Sequence, residues 1–412
     1  LSEAAGSSSD ITNSDVTASG PTATVAATEG YDPTDPATMR DPYPFYQRFR
    51  STEPVARASA WGGFWLISRY ADVRAAALAT DTYRSCDGVT LPPFGNPMPF
   101  IPIEIDPPRH TLYRKPLQRW FSKGKMAELE RDIRQIVSDR IDGFHHLGRA
   151  DLATELAEPV PAITLARILG LPDSDWSMFQ QLGQTICKAG EEEDMETTLT
   201  TVMQLMGYLT EQINDRRKNP TDDIISQIIG MQLDGEPMSE EDVLMTTFFL
   251  VEAGHETTVG GLGTMLLNYG RRPDLRRRLV EDPSLVPGAV EEALRFDPPI
   301  QTIGRTVTSD TCLHDVTLRK GDKVVLCWGS ANRDADVFDE PDEMVIDRPR
   351  NNHLAFGNGI HKCLGAPLAR MEMQVVLEEV LRRIPEYRIE NEDDVEVGGF
   401  LARGVKRLPV VW

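Results

Sequence analysis

No stretch of about 18 apolar residues occurs in this chain, and no charged leader precedes an apolar segment at its start. A membrane span and a signal peptide are therefore not expected, and the chain reads as soluble and cytoplasmic. Cysteine is scarce: five residues, Cys86, Cys187, Cys312, Cys327 and Cys363, lie far apart with no Cys-x-x-Cys pair. That argues against a disulfide framework, a structural zinc site or an iron–sulfur cluster, and each cysteine must be read singly. Positive charge is short as well. With 43 Lys and Arg against 64 Asp and Glu, the formal net charge is −21. Nucleic acid and anionic membranes both need clustered cations, so neither is an expected partner.

What is present suits a large globular protein. A chain of 412 residues can bury an extensive core. Residues 1–30 are rich in Ser, Thr, Ala and Gly with little to bury, and are expected to be a disordered arm. From Tyr31 to Trp412 the composition is globular, with no linker and no repeat, so residues 31–412 read as one domain.

Apolar residues three and four apart over 126–144 and 371–384 predict helices. Short strands are expected within 62–68 and 316–327, the latter turning at Lys320, Gly321 and Asp322. The fold class is thus mainly α with minor β. One long helix is announced by Ser239 followed by Glu240, Glu241 and Asp242, and stopped by Arg271, Arg272 and Pro273. Inside it stand Gly254, Gly260, Gly261 and Gly263, each costing about 1 kcal/mol relative to alanine. Close helix packing explains the last three. At Ala253 and Gly254, beside "HETT", the expectation is close approach of a flat ligand.

The stretch "HLAFGNGIHKCLG", residues 353–365, sets Cys363 among three glycines just before a helix with Pro367 in its first turn. A thiolate there meets backbone N–H groups and the positive end of a helix dipole, although a lone cysteine also serves as an inert core residue. Phe356 stands seven before the cysteine, Gly359 four before and Gly365 two after. That string resembles the haem-binding loop of the cytochrome P450 family. Three further segments in the matching order resemble the same family: "DPPRHTLYR" (Asp106–Arg114), "AGHETT" (Ala253–Thr258) and "EALR" (Glu292–Arg295).

The resemblance, which extends from about Asp41 to Trp412, implies a P450 fold with haem b between the long helix and the cysteine loop. Cys363 would be the axial thiolate and iron ligand, pushing electron density onto the metal to favour O–O cleavage on the opposite face. Ala253, Gly254 and Phe356 would border the haem. Glu256 and Thr257 resemble the acid and alcohol that deliver protons to O2, the co-substrate; the plainer reading is capping of a local helix distortion. His255 reads as directed to solvent. His110, Arg114, Arg305 and His361 occupy the positions that hold the haem propionates. Glu292 and Arg295 would form a structural group with a later arginine, best matched by Arg348.

Positions matching the substrate-contacting regions are Val89, Phe94, Met98, Ile103, Phe249, Glu252, Gln301, Ile303, Leu401 and Ala402. They imply an apolar pocket for a small organic molecule. Glu252 departs from the family pattern, which has an aliphatic residue there. It either contacts a polar or cationic substrate group or points away toward another side chain. Between Arg109 and Lys125 lie six basic residues and no acidic one. A solvated helix face explains that; so does a docking face for an acidic electron donor, with Lys362 at its centre. The reading is a monooxygenase fed by a separate ferredoxin and ferredoxin reductase. Its rivals are a peroxide-driven enzyme, against which Glu256 and Thr257 speak, and a haem-binding sensor that consumes no reductant.

Overall fold

The computed structural model describes residues 31–412 apart from Thr34 and residues 92–97, 192–193 and 400–401. The expected arm 1–30 and the candidate pocket residues Phe94 and Leu401 lie outside the described residues. Helix dominates. The helices that position the site are α1 (Arg109–Leu117), α2 (Lys123–His145), α3 (Pro159–Leu169), α4 (Trp176–Glu191), α5 (Glu240–Gly270), α6 (Val286–Phe296) and α7 (Ala366–Arg383). Among the described residues no helix is long and apolar enough to cross a membrane.

The 31-residue α5 runs through the main apolar core, roughly 46 Å from end to end at 1.5 Å per residue. Its start is built as the sequence suggests: Ser239 Oγ accepts from the Asp242 N–H at 3.0 Å, and three acidic residues in the first turn complement the helix dipole. Buried residues appear on every side of its second half, so packing rather than amphipathicity holds it. A Cβ on Gly260 would stand 2.5 Å from the Arg403 carbonyl oxygen, and one on Gly263 3.1 Å from Val405 Cβ. These glycines let a strand cross the helix at backbone distance.

Among the strands are β1 (Val55–Ala58), β2 (Phe64–Ile67), β3 (Tyr83–Arg84), β4 (Thr302–Val307), β5 (Thr311–Leu313), β6 (Val316–Leu318), β7 (Lys323–Cys327), β8 (Glu396–Gly398) and β9 (Gly404–Arg407). The main sheet has the order β1-β2-β7-β4-β3, with β2 and β7 parallel and the other neighbours antiparallel. The turn at Lys320–Asp322 is present, with Gly321 at φ +89°. The strands it joins do not pair with each other, however: β6 pairs with β5, while β7 fills the centre of the main sheet. Apolar alternation marks a strand but does not identify its partner. β4 carries Ile303 and Arg305, and the Gly304 N–H donates to the Val89 carbonyl at 2.7 Å, which brings the chain at Val89 beside it.

Candidate active site

The cysteine loop is held by its own backbone and by glycines that the geometry requires. The Cys363 N–H donates to the Phe356 carbonyl at 2.8 Å, and Gly357 and Gly359 adopt φ +67° and +73°, where glycine alone is unstrained. A Cβ on Gly359 would fall 2.6 Å from the Ala77 carbonyl oxygen. Arg370 lies over the Phe356 ring at 4.4 Å while pairing with Glu291 at 2.6 Å, which fixes the ring. The loop therefore presents Cys363 at one position, immediately before α7.

Cys363 is exposed, but it opens onto a cavity of about 410 Å³, and protein crowds it enough for desolvation to count. Burial raises the thiol, while N–H groups of Gly365 and Ala366 and the charges of Arg114 and Arg370 act in the opposite direction by stabilising the thiolate. Across the same cavity α5 contributes Phe249, Glu252, Ala253, Gly254, Glu256 and Thr257. Thr257 Oγ1 donates to the Ala253 carbonyl at 2.9 Å, and α5 is continuous there, so no helix distortion is being capped.

Arg114, Arg305 and His361 also line the cavity, and His110 packs edge-on against His361 with ring centroids 4.5 Å apart. Nε2 of His110 and both ring nitrogens of His361 are buried without a hydrogen-bond partner. Arg305 donates to the Gly304 carbonyl at 2.6 Å, and Arg114 to the Lys362 carbonyl. Burial pushes His361 down to about 3, with Arg305 and His110 adding to the effect. It likewise lowers His110, and Arg305 to about 10. Four nitrogen-bearing groups so poorly satisfied call for anions, and the paired carboxylates of haem b fit them.

Behind the loop, Glu292 and Arg295 are fully buried and 2.8 Å apart, and Arg348 reaches Glu292 at 3.1 Å. Glu292 also accepts from the Val345 N–H at 2.8 Å and from Asn351 Nδ2 at 3.0 Å. Arg295 spends its remaining N–H groups on the carbonyls of Asn332, Pro341 and Glu343. The structure thus brings together the three residues of this expected group.

The other expected positions divide. Val89, Ile103, Phe249, Glu252, Gln301 and Ile303 line the cavity, whereas Met98 and Ala402 do not. Ala402 is buried elsewhere, and Met98 packs against the main core. Gln301 turns its amide to the Pro298 carbonyl at 2.6 Å and toward the Tyr43 hydroxyl, so its donor faces protein. His255 is not directed to solvent: it is 7% exposed, and desolvation lowers it to about 4. Gly254 borders the cavity, yet a Cβ there would meet Leu165 Cδ1 at 3.2 Å. Its missing side chain admits α3 rather than a ligand alone.

Sequence reasoning overlooked Gly183 of α4, where a Cβ would stand 3.4 Å from His255 Nδ1 and 3.8 Å from Glu256 Oε1. A glycine at mid-helix was the available signal. It also overlooked Leu165 and Leu169 of α3, which line the cavity, and Asn351, which completes the Glu292 site.

Comparison with known proteins agrees with this geometry. The family described as Cytochrome P450 matches residues 186–396. Cytochrome P450 130 of Mycobacterium tuberculosis is 35% identical over 391 residues, covering 90% of this chain and 95% of its own length. Vitamin D(3) 25-hydroxylase of Pseudonocardia autotrophica is 35% identical over 399 residues, covering 94% and 98%. Among solved structures, the Bacillus subtilis 168 bacillaene polyketide synthase cytochrome P450 PksS superposes with TM-score 0.85 at 30% identity, covering 92% of this chain and 99% of that one. A cysteine loop, a glycine-bearing central helix and a cation-lined cavity between them thus occur in a chain that belongs to the cytochrome P450 family of haem-thiolate oxidoreductases.

Proposed function

We propose that residues 31–412 act as a single monooxygenase domain in which Cys363 would hold the iron of haem b as a thiolate and one atom of O2 enters a mostly apolar organic molecule. The observation that carries this reading is the cavity itself, with Cys363 on one wall, Glu256 and Thr257 on another, and unsatisfied histidine nitrogens at its edge. When bound, haem b supplies one-electron reduction and O2 activation. His110, Arg114, Arg305 and His361 hold its carboxylates. Thr257 offers a hydroxyl whose proton rests on the Ala253 carbonyl, leaving oxygen lone pairs free to accept a proton at the cavity face. Glu256, half-buried between the cavity and α4, relays protons to that hydroxyl.

The apolar walls, with Phe249, Ile103 and Ile303 among them, exclude water and suit a carbon skeleton. The relative named vitamin D(3) 25-hydroxylase supports hydroxylation of such a molecule; terpenoid, aromatic and other secondary-metabolite skeletons share this chemistry. Electrons come from a separate ferredoxin and its reductase. Lys115, Arg119 and Lys362 are exposed and form no ion pair among the described residues, in a chain of net charge −21. The Arg114 bond to the Lys362 carbonyl holds this basic patch against the cysteine loop. The test is turnover with reduced ferredoxin and isotopically labelled O2, using ligands first selected by a shift of the haem absorption band. Product carrying one labelled oxygen atom per O2 consumed is expected; reductant-independent turnover with peroxide alone would sink the reading.

A further inference from the structure

Glu252 lines the cavity from α5 with Phe249, Ala253, Gly254, Glu256 and Thr257, and Leu165 and Leu169 of α3 line it too. Glu252 makes no hydrogen bond or ion pair among the described residues. None of the cavity's arginines pairs with Glu252: Arg403 pairs with Asp297 at 2.8 Å, while Arg305 and Arg114 belong with His110 and His361 to the anion-seeking group, donating to the Gly304 and Lys362 carbonyls. Burial first, and then the like charge of Glu256 one turn later, push the Glu252 carboxyl up to about 8.

Phe249 precedes Glu252 by one helical turn on the same face and stacks on Phe100 with centroids 5.6 Å apart. Phe100 lines the cavity too. Aromatic faces and a carboxylate therefore border one region. Ionising a carboxyl that the protein leaves unpaired in an apolar wall costs free energy, which a ligand of opposite charge offsets. An alkylated ammonium is stabilised by both elements, its charge by the carboxylate and its apolar substituents by the rings. We propose that the substrate carries a cationic nitrogen that seats against Glu252, with Phe249 and Phe100 covering its substituents. This inference rests on the cavity being the substrate site of the haem-loaded enzyme.

The test uses the haem-loaded protein above pH 8 and two probes of equal size, a phenylalkyl trimethylammonium cation and its uncharged carbon isostere. Neither can ligate iron, so differences between them report on the pocket. Dissociation constants are measured by calorimetry in the parent, in Glu252→Gln and in Glu252→Leu. The parent should favour the cation, and both variants should weaken the cation roughly tenfold or more while binding the isostere as well or better. A parent that binds the two probes equally, or a cation preference that survives both substitutions, overturns the proposal while leaving the monooxygenase reading intact. If Glu252 only feeds protons to Glu256, the probes bind alike in every protein and product per reductant falls instead, which also overturns it. A parent that binds neither probe overturns the inference alone, whereas absence of a thiolate haem spectrum removes the underlying reading and this inference together.

Discussion

Glu292 and Arg295 face each other at 2.8 Å with no side-chain exposure, one helical turn apart on α6. A buried pair of this kind persists only because both partners are fully satisfied, here by Arg348, Asn351, the Val345 N–H and three carbonyls. Replacing Arg295 with Leu leaves the Glu292 charge underpaired and three carbonyls without a donor. A loss of about 3–5 kcal/mol in unfolding free energy is expected, read by chemical denaturation. A loss under about 1 kcal/mol would mean that the group does not support the fold.

Acid should act through Glu291. Burial alone would raise its carboxyl, but hydrogen bonds from His353 and Arg370 hold it down to about 2. A carboxyl depressed in the folded state contributes stability that is complete above its unfolded pKa and is lost as pH falls through the folded value. The stability difference between the parent and Glu291→Gln should therefore be constant above about pH 6 and shrink as pH falls from about 5 toward 2. A difference unchanged by pH would contradict the pairing with His353 and Arg370.

Thr257→Ala should uncouple the enzyme. The hydroxyl that rests on the Ala253 carbonyl would be gone, the helix would keep its backbone bonds, and electrons would still flow. Product per reductant consumed should fall roughly tenfold, with peroxide appearing in its place. An unaltered ratio would remove Thr257 from proton delivery.

Reversing Arg119 and Lys362 to Glu should slow reduction by an acidic ferredoxin and flatten its dependence on ionic strength. Attraction between exposed charges is screened over roughly 10 Å at 0.1 M salt, so steering must weaken as salt rises. Equal rates in parent and variant at every salt concentration would make the basic stretch an ordinary solvated face.

Features specified by neighbours in sequence were legible before the structure. The cap at Ser239, the stop at Arg271, the glycines around Cys363 and the spacing of Glu292 to Arg295 are all local, and each lies where its chemistry suggests. Features decided by distant segments were not. Whether His255 met solvent depended on α4, whose Gly183 lies 72 positions earlier in the chain. What Gly254 admits depended on Leu165, and the partners of β6 and β7 depended on strands that no turn sequence names. Met98 and Ala402 were expected in the pocket by motif position alone, and neither lines it, because a loop position does not determine the direction of a side chain.

Ligation of iron by the Cys363 thiolate is tested most directly by the absorption spectrum of the reduced carbon-monoxide complex in the parent and in Cys363→His. The expected result is a red-shifted thiolate band in the parent that is lost in the variant, while the variant still takes up haem between α5 and the loop. A parent without that band, or a variant that retains it, would contradict Cys363 as the ligand and with it the assignment of the cavity.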